Sequence, residues 1–198
     1  MTNLAGAEAQ PLEDKPTRFV PGQPDMWVFV LFETLLFTGY FSVYLVQRTQ
    51  NHELYLQSQG DLDLRIGVFN TIALLLSSWA IARCVQAARS GDHRVALRFA
   101  FVTISFGLIF LISKVLEWIM EVHRGNTFTS DQFFEHYFFL TSIHCIHVLI
   151  GFIVLGVLVY QLRSPARRSQ QLVETCATYW HTVDFLWVLI FALLYVVR

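Results

Sequence analysis

Apolar positions run in five long stretches with short polar breaks between them. The first covers residues 26–47, the second about 64–82 and the third about 95–120; the fourth lies within 133–162 and the fifth covers about 176–197. A helix rises ~1.5 Å per residue, so ~20 apolar residues cross ~30 Å of hydrocarbon. Each stretch approaches or exceeds that length. None alternates as a strand does, and in lipid only helices or closed barrels satisfy every backbone group. The expected fold is all-α, an integral membrane bundle of five transmembrane helices over residues 26–198. Asp25 is a candidate helix cap for the first stretch, and Trp27 a candidate interface anchor.

Residues 1–25 break the pattern. They are polar and hold Pro11, Pro16, Pro21 and Pro24, four of the five prolines. Such a segment buries too little apolar surface to fold alone and is expected to be a flexible cytoplasmic tail. It lacks the basic start and short apolar core of a cleaved signal.

Composition supports the membrane reading. The chain is 55% hydrophobic and 15% charged, against roughly 25% charged in soluble domains. A net charge of −1 argues against a nucleic-acid partner. Cys84, Cys145 and Cys176 have no paired spacing and read as free buried thiols. Basic residues are unevenly placed. Lys15, Arg18, Arg83, Arg89, Arg94, Arg98, Arg163, Arg167 and Arg168 fall on one side of the membrane, and Arg48, Arg65, Arg124 and Arg198 on the other. The positive-inside bias puts the N-terminus in the cytoplasm and the C-terminus outside.

The stretches also carry ionisable residues. Glu33 lies in the first, Lys114 and Glu117 in the third, His144 and His147 in the fourth, and His181 and Asp184 in the fifth, between Trp180 and Trp187. A charged group at mid-membrane costs ~2.5–3.5 kcal/mol on insertion scales, so these groups are expected to face protein. His181 and Asp184, like Lys114 and Glu117, stand three apart and share a helix face. Each pair is either a structural lock or a proton or ligand site. Depth along the helices suggests an inner tier of Glu33, His181 and Asp184 and an outer tier of Lys114, Glu117 and His144. Glu33 is then either neutral or paired with His181. His144 and His147 have a spacing seen in metal sites, but hydrogen-bonded core histidines fit better, and no metal site is expected. Gly39, Gly107, Gly151 and Gly156 are candidate points of close helix approach.

No nucleophile elbow, phosphate loop or dinucleotide fingerprint appears, so no catalytic residue is assigned and any chemistry belongs to a partner. Two other classes stay open. One is a b-type cytochrome using His144 or His147 with His181 as axial ligands. The other is a proton or solute transporter built on Glu33, Lys114 and Asp184.

Four ordered motifs carry a family resemblance. Tyr179-Trp180-His181, then Val183-Asp184 and Trp187, resemble the final helix of subunit III of heme–copper respiratory oxidases. Phe32-Glu33 with Phe37, Gly39 and Phe41 is similar to its glutamate-bearing helix, and Glu117-Trp118 to its Glu-aromatic pair. Thr141-Ser142-Ile143-His144 with His147-Val148 and Gly151 is similar to its double-histidine helix. Ser142 stands where the family usually has Gly, and Thr182 where an aromatic is common. Five crossings match the short form, without the first two helices of the seven-helix form. Within the family the chain looks most like the NorE-type accessory protein of bacterial nitric oxide reductase. Lys114 three residues before Glu117, the Arg-rich second loop and the ending 193–198 carry that closer likeness.

The resemblance implies a multi-pass subunit of the bacterial inner membrane that binds no heme or metal itself. Its partner is a catalytic heme-bearing subunit, where heme and copper or non-heme iron reside. The subunit holds phospholipid in a cleft and supports the partner's proton uptake and durability. Glu33, His181 and Asp184 become the inner polar groups, Glu117 and His144 the outer ones. The alternative partner is an aerobic cytochrome c oxidase.

Overall fold

A computed structural model describes residues 22–164 and 169–197. The expected tail falls almost wholly outside them. Five helices are long and apolar enough to cross a membrane: α1 (Pro24–Gln50), α3 (Leu64–Arg89), α4 (His93–His123), α5 (Gln132–Arg163) and α6 (Gln170–Phe191), the last prolonged by a π-helical turn over Ala192–Val196. A short helix that the apolar pattern does not announce, α2 (His52–Asp61), lies between α1 and α3. The described residues contain no strand.

Helix ends follow local chemistry. Asp63, Asp92, Asp131 and Ser169 cap α3, α4, α5 and α6 by accepting from a backbone N–H of the first turn. Asp25 does not cap α1. Gln23 holds the cap position with no side-chain bond, and Pro24 and Asp25 both lie in the first turn. Proline has no N–H to satisfy there, so a capping oxygen is less needed. The α3–α4 connection turns within residues 90–92, where Gly91 takes φ +80°, and Gly125 takes φ +92° just past α4. These left-handed positions reverse the chain at little steric cost for glycine.

α2 is half-polar, yet it packs. Tyr55 and Leu62 are buried, and Tyr55 meets Tyr44 of α1 edge-on at 5.4 Å between ring centroids. Burial pushes the Tyr55 phenol up to about 12. The Ser58 hydroxyl donates to Asp131 at 2.6 Å, and Gln59 Nε2 donates to the Val197 carbonyl at 3.0 Å. α2 therefore ties the exit of α1 to the start of α5 and to the end of the chain.

The core runs along α6. Trp180 and Trp187 are fully buried. A Cβ on Gly151 would lie 2.7 Å from the Trp180 ring, and one on Gly107 2.9 Å from it. Trp180 thus fits because α4 and α5 present bare backbone to it. Its Nε1 donates to Ser77 Oγ of α3 at 2.8 Å, and Trp187 Nε1 to Thr71 Oγ1 at 3.1 Å. Of the glycines expected at helix contacts, Gly39 and Gly156 have open space where a Cβ would sit. Gly67, not foreseen, lets Tyr195 and Phe191 approach α3 within 2.8–2.9 Å of the same position.

α1 is the least enclosed span. Val28, Leu31 and Leu35 are 64–72% exposed, whereas Glu33, Phe37, Tyr44 and Arg48 form its inward stripe. Thr34, Thr38 and Ser42 on its outer side turn their hydroxyls back onto carbonyls one turn earlier at 2.7–2.8 Å. That keeps polar atoms satisfied on the exposed face of a membrane-length helix.

Candidate functional site

The polar groups gather in two ionic centres and a third cluster with an isolated acid. The first centre joins α1 to α5. Glu33 Oε2 lies 3.2 Å from His147 Nε2, not beside His181 as depth alone suggested. His147 Nδ1 is 2.9 Å from the Ile143 carbonyl. A carbonyl only accepts, so Nδ1 carries a proton. The Nε2–Oε2 contact then requires one more, held as imidazolium facing carboxylate or as carboxylic acid donating to imidazole. Tyr179 closes the site from α6, its hydroxyl donating to the His147 carbonyl at 3.1 Å and its ring stacking on Phe29 at 5.7 Å.

The second centre, sealed inside the bundle, is built on Lys114 and Glu117. Successive helix turns bring these side chains together, as their three-residue spacing implies. Lys114 Nζ donates to Glu117 Oε2 at 3.1 Å, to Tyr137 Oη at 3.1 Å and to Tyr195 Oη at 2.8 Å. All three ammonium hydrogens are therefore used. Tyr195 in turn donates to Glu117 Oε1. The ammonium also lies 4.5 Å from the Tyr137 ring centroid and 5.2 Å from that of Trp187, within cation–π range. The sequence pointed to Lys114 and Glu117 but not to Tyr137 or Tyr195. Tyr195 reaches the pair from the π-helical turn, whose register no apolar pattern encodes.

His144 does not join this network by hydrogen bonds. It is fully buried, with its ring edge-on to Phe110 at 5.5 Å and against Trp187 at 5.3 Å, and neither nitrogen has a partner among the described residues. The expected outer tier is thus an ion pair with two tyrosines, while His144 shares with it only the ring of Trp187.

The third cluster replaces the expected His181–Asp184 pair. His181 Nδ1 lies 2.7 Å from Ser78 Oγ of α3. Asp184 is buried; neither carboxylate oxygen reaches full hydrogen-bond geometry with a described residue, and the group it has beside it is the same Ser78 hydroxyl. The two residues share a helix, but α3 supplies a hydroxyl that the imidazole reaches first. Glu33 is therefore apart from the other two, while His181 and Asp184 meet at the same Ser78 hydroxyl rather than at one another.

Two further buried acids were not foreseen. Glu174, near the start of α6, meets Arg89 at 2.9 Å. Glu121, near the end of α4, meets Arg124 at 2.8 Å and Asn126 at 2.9 Å. Both lie toward helix ends and tie connections to the bundle. The signal for Glu121 was its three-residue spacing to Arg124.

The sequence profile of the family described as Cytochrome c oxidase subunit III matches residues 22–197, nearly the whole chain. This chain belongs to the cytochrome c oxidase subunit III family. Among the relatives of this subunit III-family chain is a cytochrome c oxidase subunit 3 of Synechocystis sp., 30% identical over 182 residues, covering 88% of this chain and 77% of the relative. Another is the cytochrome c oxidase subunit 3 of Thermostichus vulcanus, 29% identical and covering 85% of this chain and 84% of the relative. A third, the cytochrome bo(3) ubiquinol oxidase subunit 3 of Buchnera aphidicola, is 25% identical and covers 86% of this chain and 83% of the relative. With five membrane-length helices and bacterial relatives, this subunit III-family chain is a multi-pass protein of the bacterial inner membrane.

Proposed function

We propose that this chain is a non-catalytic accessory subunit that packs beside the heme-bearing catalytic subunit of a heme–copper-type respiratory complex. The observation that carries the reading is how its ionisable groups are used. Lys114, Glu117 and His147 are turned onto one another or onto partners from neighbouring helices. They bond helix to helix, as expected of a scaffold. The histidines also fit this role: His147 faces Glu33, His181 faces Ser78, and the His144 ring is packed against Phe110 and Trp187. Heme and copper or non-heme iron belong to the partner in this reading. Phospholipid lies along the exposed helix faces, and the shared proton at Glu33–His147 is the group through which the subunit would assist proton uptake.

For the partner, the finer reading is a nitric oxide reductase. Its support is the sequence likeness carried by Lys114 three residues before Glu117, the Arg-rich second loop and the ending 193–198. The second reading, an oxygen-reducing oxidase, is supported by the relatives, which are named as cytochrome c and quinol oxidase subunits. Purifying the intact complex through this chain and comparing nitric oxide with oxygen consumption separates them. Nitric oxide turnover is expected, and oxygen turnover alone would reject the finer reading. Recovery of the chain without any heme-bearing subunit would reject the accessory role itself.

A further inference from the structure

A cavity of about 290 Å³ lies where α1 ends and α5 begins, away from the centres described above. Its wall includes Tyr40 and Gln47 of α1, Phe128 of the α4–α5 connection, and Glu135, His136 and Phe139 of α5. The Tyr40 and Phe139 rings meet edge to face at 5.1 Å. Gln47 stands ~4.5 Å from the end of α1, and His136 ~6 Å from the start of α5. Tyr40 and Phe139 lie deeper, ~15 and ~10.5 Å from the same ends. The cavity therefore carries polar groups near the helix ends and rings further into the span.

Those polar groups have bonding capacity to spare. His136 Nδ1 is 2.7 Å from the Gln132 carbonyl, which only accepts, so Nδ1 carries a proton and Nε2 of the neutral ring is an acceptor. The ring is held by Tyr44 and Tyr55, at 5.8 and 6.4 Å between centroids. Glu135 is exposed, and among the described residues its carboxylate has no ion pair. Gln47 Oε1 accepts from the Tyr55 hydroxyl at 3.4 Å, which leaves its NH2 as a donor. We propose that this cavity binds a lipophilic hydroquinone. The two phenolic O–H groups match the two acceptors, and a phenolic oxygen can accept from Gln47. The ring matches the aromatic wall, and an apolar tail continues past Tyr40 and Phe139 along the span. An acyl chain would leave all three polar groups unused. A phosphate would face Glu135 and find no Lys or Arg in the wall. A quaternary ammonium would suit Glu135 and the rings but has no hydrogen to give His136 Nε2. Nothing in the site depends on which complex the chain serves.

Equilibrium dialysis of the full chain in detergent under argon, against decyl-benzohydroquinone and its dimethyl ether, tests the site. The ether keeps the ring and tail but has no O–H to donate. The hydroquinone is expected to bind about tenfold tighter, the size of effect when two acceptors lose their donors. His136→Phe keeps a ring against Tyr44 and Tyr55 and should cut the preference to about threefold or less, as should Glu135→Leu. Glu135 is exposed, so its variant decides alone if His136→Phe does not fold. Glu53→Gln, an exposed acid on α2 outside the cavity wall, is the control and should change nothing. Absence of hydroquinone binding overturns the proposal, as does equal binding of the two compounds by the wild type. So does an undiminished preference in Glu135→Leu, or an equal loss in Glu53→Gln. Displacement of the hydroquinone by equimolar decyltrimethylammonium would mark a cation site, and displacement by equimolar phosphatidylcholine a general lipid surface. Either result rejects a hydroquinone site.

Discussion

Glu33–His147 and Lys114–Glu117 are both acid–base pairs inside the membrane, yet the bundle treats them differently. The side chains of the first pair are 11% and 16% exposed, on the span with the most open surface. Those of the second are 1% exposed or less, and every ammonium hydrogen has a partner. The sealed pair joins α4, α5 and the last turn of the chain. The open pair is among the few polar links holding α1 to the rest. A buried pair tolerates no loss of one member, because the survivor keeps its charge in a medium that cannot solvate it. A half-open pair can rehydrate or move its proton.

That contrast predicts where the bundle breaks first. Lys114→Ala leaves Glu117 buried opposite two phenols, and thermal unfolding in detergent should show a loss of about 3–5 kcal/mol. Adding Glu117→Leu to Lys114→Met removes both charges and should recover most of it. If Lys114→Ala cost under ~1 kcal/mol, the sealed centre would not be an ion pair at all.

Packing provides the next test. Gly151→Ala puts a Cβ 2.7 Å from the fully enclosed Trp180 ring, and overpacking of this kind costs about 1–3 kcal/mol. Gly39→Ala on α1 meets nothing within 4 Å. It should be neutral or gain up to ~1 kcal/mol from helix propensity. Equal losses at the two sites would mean that α1 is packed as tightly as α4 and α5.

At the open pair, Glu33→Ala should cost about 1 kcal/mol, the usual net worth of a hydrogen bond with partial solvent access. Its clearer signature is local. Amide hydrogen exchange should rise in the middle of α1 and stay unchanged in α4, since α1 loses one of its few polar ties. Faster exchange in α4 would show that the two centres are coupled.

The sequence made the five spans legible because ~20-residue apolar runs have one solution in lipid. It also made Lys114–Glu117 legible, since a spacing of three on one helix fixes the geometry. Pairings between helices were not legible in the same way. Depth estimates set Glu33 level with Asp184 but say nothing about rotation about each axis, and rotation decided that Glu33 meets His147. Rotation also left Gly39 and Gly156 facing outward while Gly67 faces Tyr195. α2 escaped notice because Tyr55 is the one apolar residue among its three buried ones, Ser58 and Gln59 being the others.

The smallest expected effect separates the neighbours His181 and Asp184. Spacing alone makes Asp184 the support of His181, so that removing the acid would strand the imidazole. The geometry assigns that support to Ser78, whose hydroxyl is 2.7 Å from Nδ1, and leaves Asp184 beside the same hydroxyl without a hydrogen bond of full geometry. Ser78→Ala should therefore cost about 1 kcal/mol by orphaning a largely enclosed nitrogen. Asp184→Asn keeps the shape and removes a potential charge that nothing neutralises, and should shift stability by no more than ~0.5 kcal/mol in either direction. A large loss from Asp184→Asn with none from Ser78→Ala would restore the intrahelical pair. The final helix would then hold its histidine from within rather than through α3.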